Sequence, residues 1–252
     1  MATIVGHMNR ITVNEGDMQK KTKIGLWIAG GVVVVGGAAL AFGPAVYADY
    51  ANSNVEAAPT IAPATTSPTG SATAAAVNAD DLSGTWSIGT DSYAGYRVDE
   101  VLQGNDVTVT GRTADVTGDL TVDSLSLTAA TITVDVASIA TDEGARDSYF
   151  RDTAMEVGDF PTATFTLTEP VTLEAPVAGV AQTLTATGEL TMHGVTQPVT
   201  VELQAALTDA GGQVVGSIPI TFSDYGVDAP DLGFVSVEDA GSVEFSLNVA
   251  QN

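Results

Sequence analysis

Cysteine is absent from the 252 residues. This excludes disulfides, thiolate zinc sites, iron–sulfur clusters and a cysteine nucleophile. Basic residues are scarce: 8 Lys and Arg stand against 31 Asp and Glu, a formal net charge of −23. Without a basic surface to release counterions from phosphates, nucleic acid is excluded as a partner. Aromatic residues make up 6% of the chain and charged ones 15%, while apolar residues reach 44%. That is too apolar for a disordered polyanion, and the length suits one globular domain with additional segments.

The few basic residues are unevenly placed. Arg10, Lys20, Lys21 and Lys23 fall in the first 23 residues. From Asp81 onward only Arg97, Arg112, Arg146 and Arg151 oppose 26 acids, so residues 81–252 carry about −22. A domain so acidic is repelled by anionic lipid head groups and is not expected to lie flat on a leaflet. Its charge also suits solubility in a salty setting, where screening relaxes self-repulsion.

Three segments follow one another. Residues 1–23 are expected to form a cytoplasmic N-terminus, in which Met18-Gln-Lys-Lys would make a conventional start. Ile24 to Ala48 is a run of 25 residues without a charge. About 20 apolar residues span a bilayer as a helix, so 24–48 is expected to be a single transmembrane anchor. Lys20, Lys21 and Lys23 precede it and Asp49 is the first charge beyond, which places the remainder outside the membrane. Trp27 and Tyr47 stand near its two ends, where amphipathic rings favour the interface. The competing reading is a signal peptide cleaved after Val46-Tyr47-Ala48. The 19 apolar residues before Gly43-Pro44 exceed the usual signal core of roughly 7–15 residues, which favours retention. Residues 49–80 are rich in Ala, Thr and Pro, with Glu56 the only charge between Asp49 and Asp80. They are expected to be a disordered spacer with a reach of roughly 30 Å and sites suited to O-glycosylation.

Beyond Asp81 the pattern has period two. In Thr131-Ile-Thr-Val-Asp-Val136, Ile132, Val134 and Val136 face one way and the polar residues the other. The same alternation runs through Val107–Thr110, Leu125–Thr128, Phe165–Thr168, Val199–Leu203 and Val243–Val249. Turn signals separate these stretches at Gly104-Asn105-Asp106, Asp209–Gly212 and Asp239-Ala-Gly241. About eight to nine half-buried antiparallel strands are expected, in an all-β barrel or sandwich. One stretch departs from it. Arg146, Tyr149, Phe150 and Thr153 recur at helical spacing, with Thr141 or Asp142 as cap, and predict a short helix across one end of the barrel.

Several motifs then occur in order: Ser92-Tyr-Ala-Gly-Tyr-Arg-Val98; Thr141-Asp142 with Arg146-Asp147 and Phe150; Phe160-Pro-Thr-Ala-Thr-Phe165; Gly188-Glu-Leu-Thr-Met-His-Gly-Val-Thr196; and Asp224-Tyr225-Gly226. Together they resemble the YceI-like family of polyisoprenoid-binding proteins over nearly all of 82–250. The anchor ending in Gly-Pro-x-Val-Tyr is similar to that of membrane-anchored, actinobacterial-type members. The early strand lacks the histidines often seen in Gram-negative members, and Tyr149 stands where a histidine is common. The resemblance implies an extended, lipocalin-like antiparallel barrel enclosing a polyisoprenoid, a quinone-like lipid or a similar long chain. It implies no other cofactor.

Such a barrel needs an apolar lumen, for which Tyr96, Val98, Ile132, Val134, Phe150, Phe165, Leu190 and Met192 are candidates. Alternation alone marks burial, so these could equally fill an ordinary core. Arg146 and Asp147 are candidates for a polar clasp at the pocket mouth, or for a tether that fixes the helix. His193 sits in a hairpin turn and is expected to stabilise it, there being no second histidine after residue 81. Asp115, Asp119 and Asp123 lack the order of a calcium loop and read as a solvated acidic face, so no metal is expected. No G-x-S-x-G surrounds any serine. The function expected is therefore non-covalent binding, storage or transport of a long-chain isoprenoid outside the membrane, without turnover. The alternatives are a ligand-free envelope module and, last, an enzyme using Asp147 and His193. The oligomeric state is open, a dimer being compatible with the pattern.

Overall fold

The computed structural model describes residues 43–61, 78–208 and 211–252. The chain divides into two compact units, Met1–Tyr47 and Ala48–Asn252. Of the first, only Gly43–Tyr47 are described, and helix α1, Pro44–Ser53, begins among them. Proline at the first helical position loses only an N–H that has no intrahelical partner there. The expected anchor lies, up to residue 42, outside the described residues. Among those described, no helix is long and apolar enough to cross a membrane.

The second unit is a β-barrel. Its strands are β1 (Gly84–Ile88), β2 (Tyr93–Leu102), β3 (Asn105–Thr113), β4 (Val116–Asp123), β5 (Ser126–Asp135), β6 (Thr162–Leu167), β7 (Val171–Thr172), β8 (Gln182–Met192), β9 (Val195–Thr208), β10 (Gly211–Thr221) and β11 (Val235–Gln251). All pairings are antiparallel. Eight strands close a hydrogen-bonded ring in the order β1-β4-β5-β6-β8-β9-β10-β11 and back to β1. Closure removes the exposed edges that an open sheet would carry. The last strand makes this possible by its length. Val235–Ser246 pairs β2, and Val249–Gln251 pairs β1 on the same side.

The β2–β3 hairpin is thus attached outside the ring, and β3 has a free edge. That edge is covered in two places. Arg112 and Ala140 exchange both backbone hydrogen bonds, N to O at 3.0 and 3.1 Å. Lower down, the Asn52 side chain imitates a strand: its Nδ2 donates to the Asp106 carbonyl at 2.9 Å, and the Thr108 N–H donates to its Oδ1 at 3.0 Å. Ala48 and Ala51 of α1 pack beside this edge against Val98, Val107 and Val109. The chain then crosses the outer wall, where Arg97 and Arg112 donate to the carbonyls of Glu56 and Ala57 at 2.6 Å each. The Ile61 N–H donates to Gln204 Oε1. Residues 49–61, read from composition as the start of a free spacer, are therefore laid on the barrel. Residues 62–77 of that spacer fall outside the described residues.

Three local expectations need correction. The cap of the short helix α2 (Gly144–Tyr149) is Glu143, whose carboxylate accepts from the Ala145 N–H, rather than Thr141 or Asp142. The first hairpin turns at Gln103-Gly104, both at positive φ, so Asn105 and Asp106 already belong to β3. Asp239–Gly241 is a register shift inside β11, not a turn. A side chain at Gly241 would meet the Arg97 carbonyl at 2.7 Å and the Phe222 ring at 2.9 Å, so this crowded bulge requires glycine.

Candidate functional site

The period-two residues converge inside the ring on a cavity of about 200 Å³. Each of the eight ring strands contributes to its wall, from Trp86 on β1 to Leu247 on β11. Trp86 is buried, and its Nε1 donates to the Leu82 carbonyl at 3.0 Å, so the indole meets its one polar need at the wall. A second cavity of about 160 Å³ lies against the β2–β3 hairpin and α2. Ala94, Val134, Ala163, Met192 and Val243 line both, so the two share a common wall.

All eight inward candidates are placed on these walls. Ile132, Phe165 and Leu190 line the first cavity; Tyr96, Val98 and Phe150 line the second; Val134 and Met192 border both. The barrel nevertheless keeps open space, and glycine explains why. Gly216 lies directly opposite Phe245, and Gly111 directly opposite Tyr96. Gly188 lies next to Phe165 across the β6–β8 pair. A Cβ built on any of these three glycines would come within 2.5 Å of the facing ring. The rings therefore lie flat over bare backbone instead of standing into the lumen. Alternation shows inward facing but not this pairing, which depends on register between strands distant in sequence.

The second cavity has a polar end. Tyr96 stacks on Phe150 with centroids 4.9 Å apart. Glu100 is buried on the same strand face as Ala94, Tyr96 and Val98, and its Oε1 lies 3.5 Å from Arg146 Nη2. Burial pushes the Glu100 carboxyl above its ordinary range, and Arg146 opposes that rise. Burial likewise pushes the Tyr96 phenol up, keeping it protonated. Glu100 was not among the candidates read from sequence. Its signal was legible all the same, as the one charge at an inward position of β2.

Arg146 both lines the cavity and tethers the helix, with Nη1 at 2.8 Å from Asp142 Oδ1. Asp147 does not line either cavity. It is buried and accepts from both the N–H (2.9 Å) and Oγ1 (2.7 Å) of Thr141, which fixes the loop entering α2. After α2 the chain continues through one π-helical turn, Phe150–Ala154, which keeps Phe150, Ala154 and Met155 against the cavity. His193 is a turn residue: it and Gly194 both have positive φ between β8 and β9, and its Nδ1 lies 3.1 Å from the Tyr225 carbonyl. Asp119 is exposed and accepts from Ser87 Oγ on the neighbouring strand.

The YceI-like domain matches residues 64–249 of this chain. A UPF0312 protein of Yersinia enterocolitica is 35% identical over 96 residues, which are 38% of this chain and 45% of that protein. A UPF0312 protein of Pseudomonas paraeruginosa is 33% identical over 150 residues, 55% of this chain and 71% of that protein. The chain thus spans less than half of the first relative and over two thirds of the second. Among solved structures, the fold is similar to that of a polyisoprenoid-binding domain from Saccharophagus degradans implicated in plant cell wall breakdown. That similarity has a TM-score of 0.52 at 17% identity, covering 66% of this chain and 98% of that one. At this identity the likeness concerns the fold.

Proposed function

This chain belongs to the YceI-like domain family, and from that premise we propose that its barrel binds a polyisoprenoid or similar long-chain lipid without covalent chemistry. The observation that carries the reading is the apolar cavity inside the closed ring, with a second cavity adjoining it against the β2–β3 hairpin. Burial of hydrocarbon stabilises the complex by about 25 cal/mol per Å² of apolar surface removed from water. A molecule that bulk water rejects can then be held outside a bilayer. The barrel acts at the outer face of the cell membrane, joined to it through the apolar run 24–48 that follows Lys20, Lys21 and Lys23. Storage or transport needs no turnover. The acidic surface keeps the domain off anionic head groups while the lipid is carried.

Trp86 offers the test, because it lines the first cavity. In a Trp27→Phe background it is the sole tryptophan. Titration with a bromine-labelled long-chain isoprenoid should quench its fluorescence and saturate near one ligand per chain. Unchanged Trp86 emission at ligand excess would contradict the reading.

A further inference from the structure

The two cavities differ in chemistry although they adjoin. The first is walled by hydrocarbon apart from Thr164, Gln182 and Gln213. The second contains Glu100, Arg146 and Asp228. A long amphiphile entering both would lay its chain in the first and its head in the second. The charge balance at that head position is specific. Among the described residues, Arg146 is the sole cation lining either cavity. Two carboxylates already share it, Asp142 at 2.8 Å and Glu100 at 3.5 Å. Arg97 and Arg112 do not help, because they are engaged by Glu244 and Glu56.

A phosphate head placed here would meet one guanidinium already held between two carboxylates, Glu100 and Asp142. Taking Arg146 from Glu100 would strand a buried carboxylate, and taking it from the exposed Asp142 would set the phosphate against Glu100, both of which are costly. A hydroxyl has no such conflict. It has one donor and accepting lone pairs, and Glu100 accepts only while Arg146 donates only. At 3.5 Å the Glu100–Arg146 contact is longer than the 2.6 Å one between Arg97 and Glu244, and it widens to admit the bridging oxygen.

Resting on the lipid-binding reading above, we propose that the Glu100–Arg146 pair selects an uncharged, hydroxyl-bearing isoprenoid, an alcohol or phenol, against isoprenoid phosphates. The hydroxyl donates to Glu100 and accepts from Arg146, and the chain extends past Val134 and Met192 into the first cavity. Glu100 is then the specificity-determining residue.

The test compares nonaprenol with nonaprenyl monophosphate, which share one chain, on the full-length protein at neutral pH. The alcohol should bind at least tenfold tighter. In Glu100→Gln this preference should fall by about tenfold or more, mainly through improved phosphate binding. Glu189→Gln, which removes an exposed charge elsewhere, should leave the preference unchanged and so controls for net charge. Equal or tighter binding of the phosphate, or a preference indifferent to Glu100→Gln, overturns the proposal while leaving lipid binding intact. Binding of neither compound would overturn the lipid-binding reading itself, and the proposal with it.

Discussion

Valine at position 216 should reduce isoprenoid binding by at least a hundredfold while the barrel still folds. Gly216 on β10 faces Phe245 on β11 directly, and a Cβ there would sit 2.5 Å from the ring's Cζ. The Glu202 carbonyl, 3.2 Å from the same point, blocks retreat into the wall. The ring must therefore lift off the backbone and stand in the lumen. Overpacking of this kind costs about 1–3 kcal/mol, which a closed barrel with long strands tolerates, and valine suits a strand. Adding Phe245→Leu to Gly216→Val removes the obstructing ring and should restore most of the binding. A Gly216→Val protein that binds as tightly as the parent would show that the lumen is not the lipid's path. Failure of the second substitution to restore binding in a folded protein would show that the loss has another cause.

Loss of the guanidinium at position 97 is expected to have the largest effect on stability. Glu244 is 3% exposed and faces outward from β11 beneath residues 56–57. Arg97 holds it through Nε at 2.6 Å and Nη2 at 3.2 Å, while Arg112, stacked on the Tyr93 ring, stands at 3.8 Å. Removing one partner of a buried pair leaves the other charge uncompensated. Because Arg112 remains, the cost of Arg97→Met should be about 3 kcal/mol, the lower end for such losses. For a domain of this size that corresponds to a fall in Tm of about 6–12 °C. Replacing Glu244 by leucine as well removes the stranded charge and should recover more than half of the loss. Urea unfolding checks both, read as a shift in midpoint at constant slope. A single variant within about 0.5 kcal/mol of the parent would mean that the pair does not hold the wall.

These two sites show what could and could not be read from the amino acids. Ile132, Val134, Phe165, Leu190 and Met192 lie inside because a strand has a period of two, and that much is local. The helical stretch from Arg146 through Phe150 was equally legible, since its spacing breaks that period. The hollow interior was not. It depends on Gly111, Gly188 and Gly216 meeting Tyr96, Phe165 and Phe245 across strand pairs, and each meeting requires the final register. Composition also misled at 49–61. Asn52 and Glu56 look like ordinary polar residues of a spacer, yet they satisfy a free strand edge and a pair of arginines more than 40 positions away. Asp147 stood out beside Arg146 as a clasp, but a carboxylate can equally serve backbone. Here it closes the Thr141 loop, while the less conspicuous Glu100 faces the cavity.

The central claim is that this barrel is a container for an isoprenoid lipid. The most direct measurement is to purify the full-length chain from cells, extract it with organic solvent and quantify the lipid by mass spectrometry. The account predicts about one long-chain isoprenoid per chain, which the Gly216→Val protein lacks. A chain free of lipid as isolated, and still free after incubation with mixed isoprenoids, would contradict it.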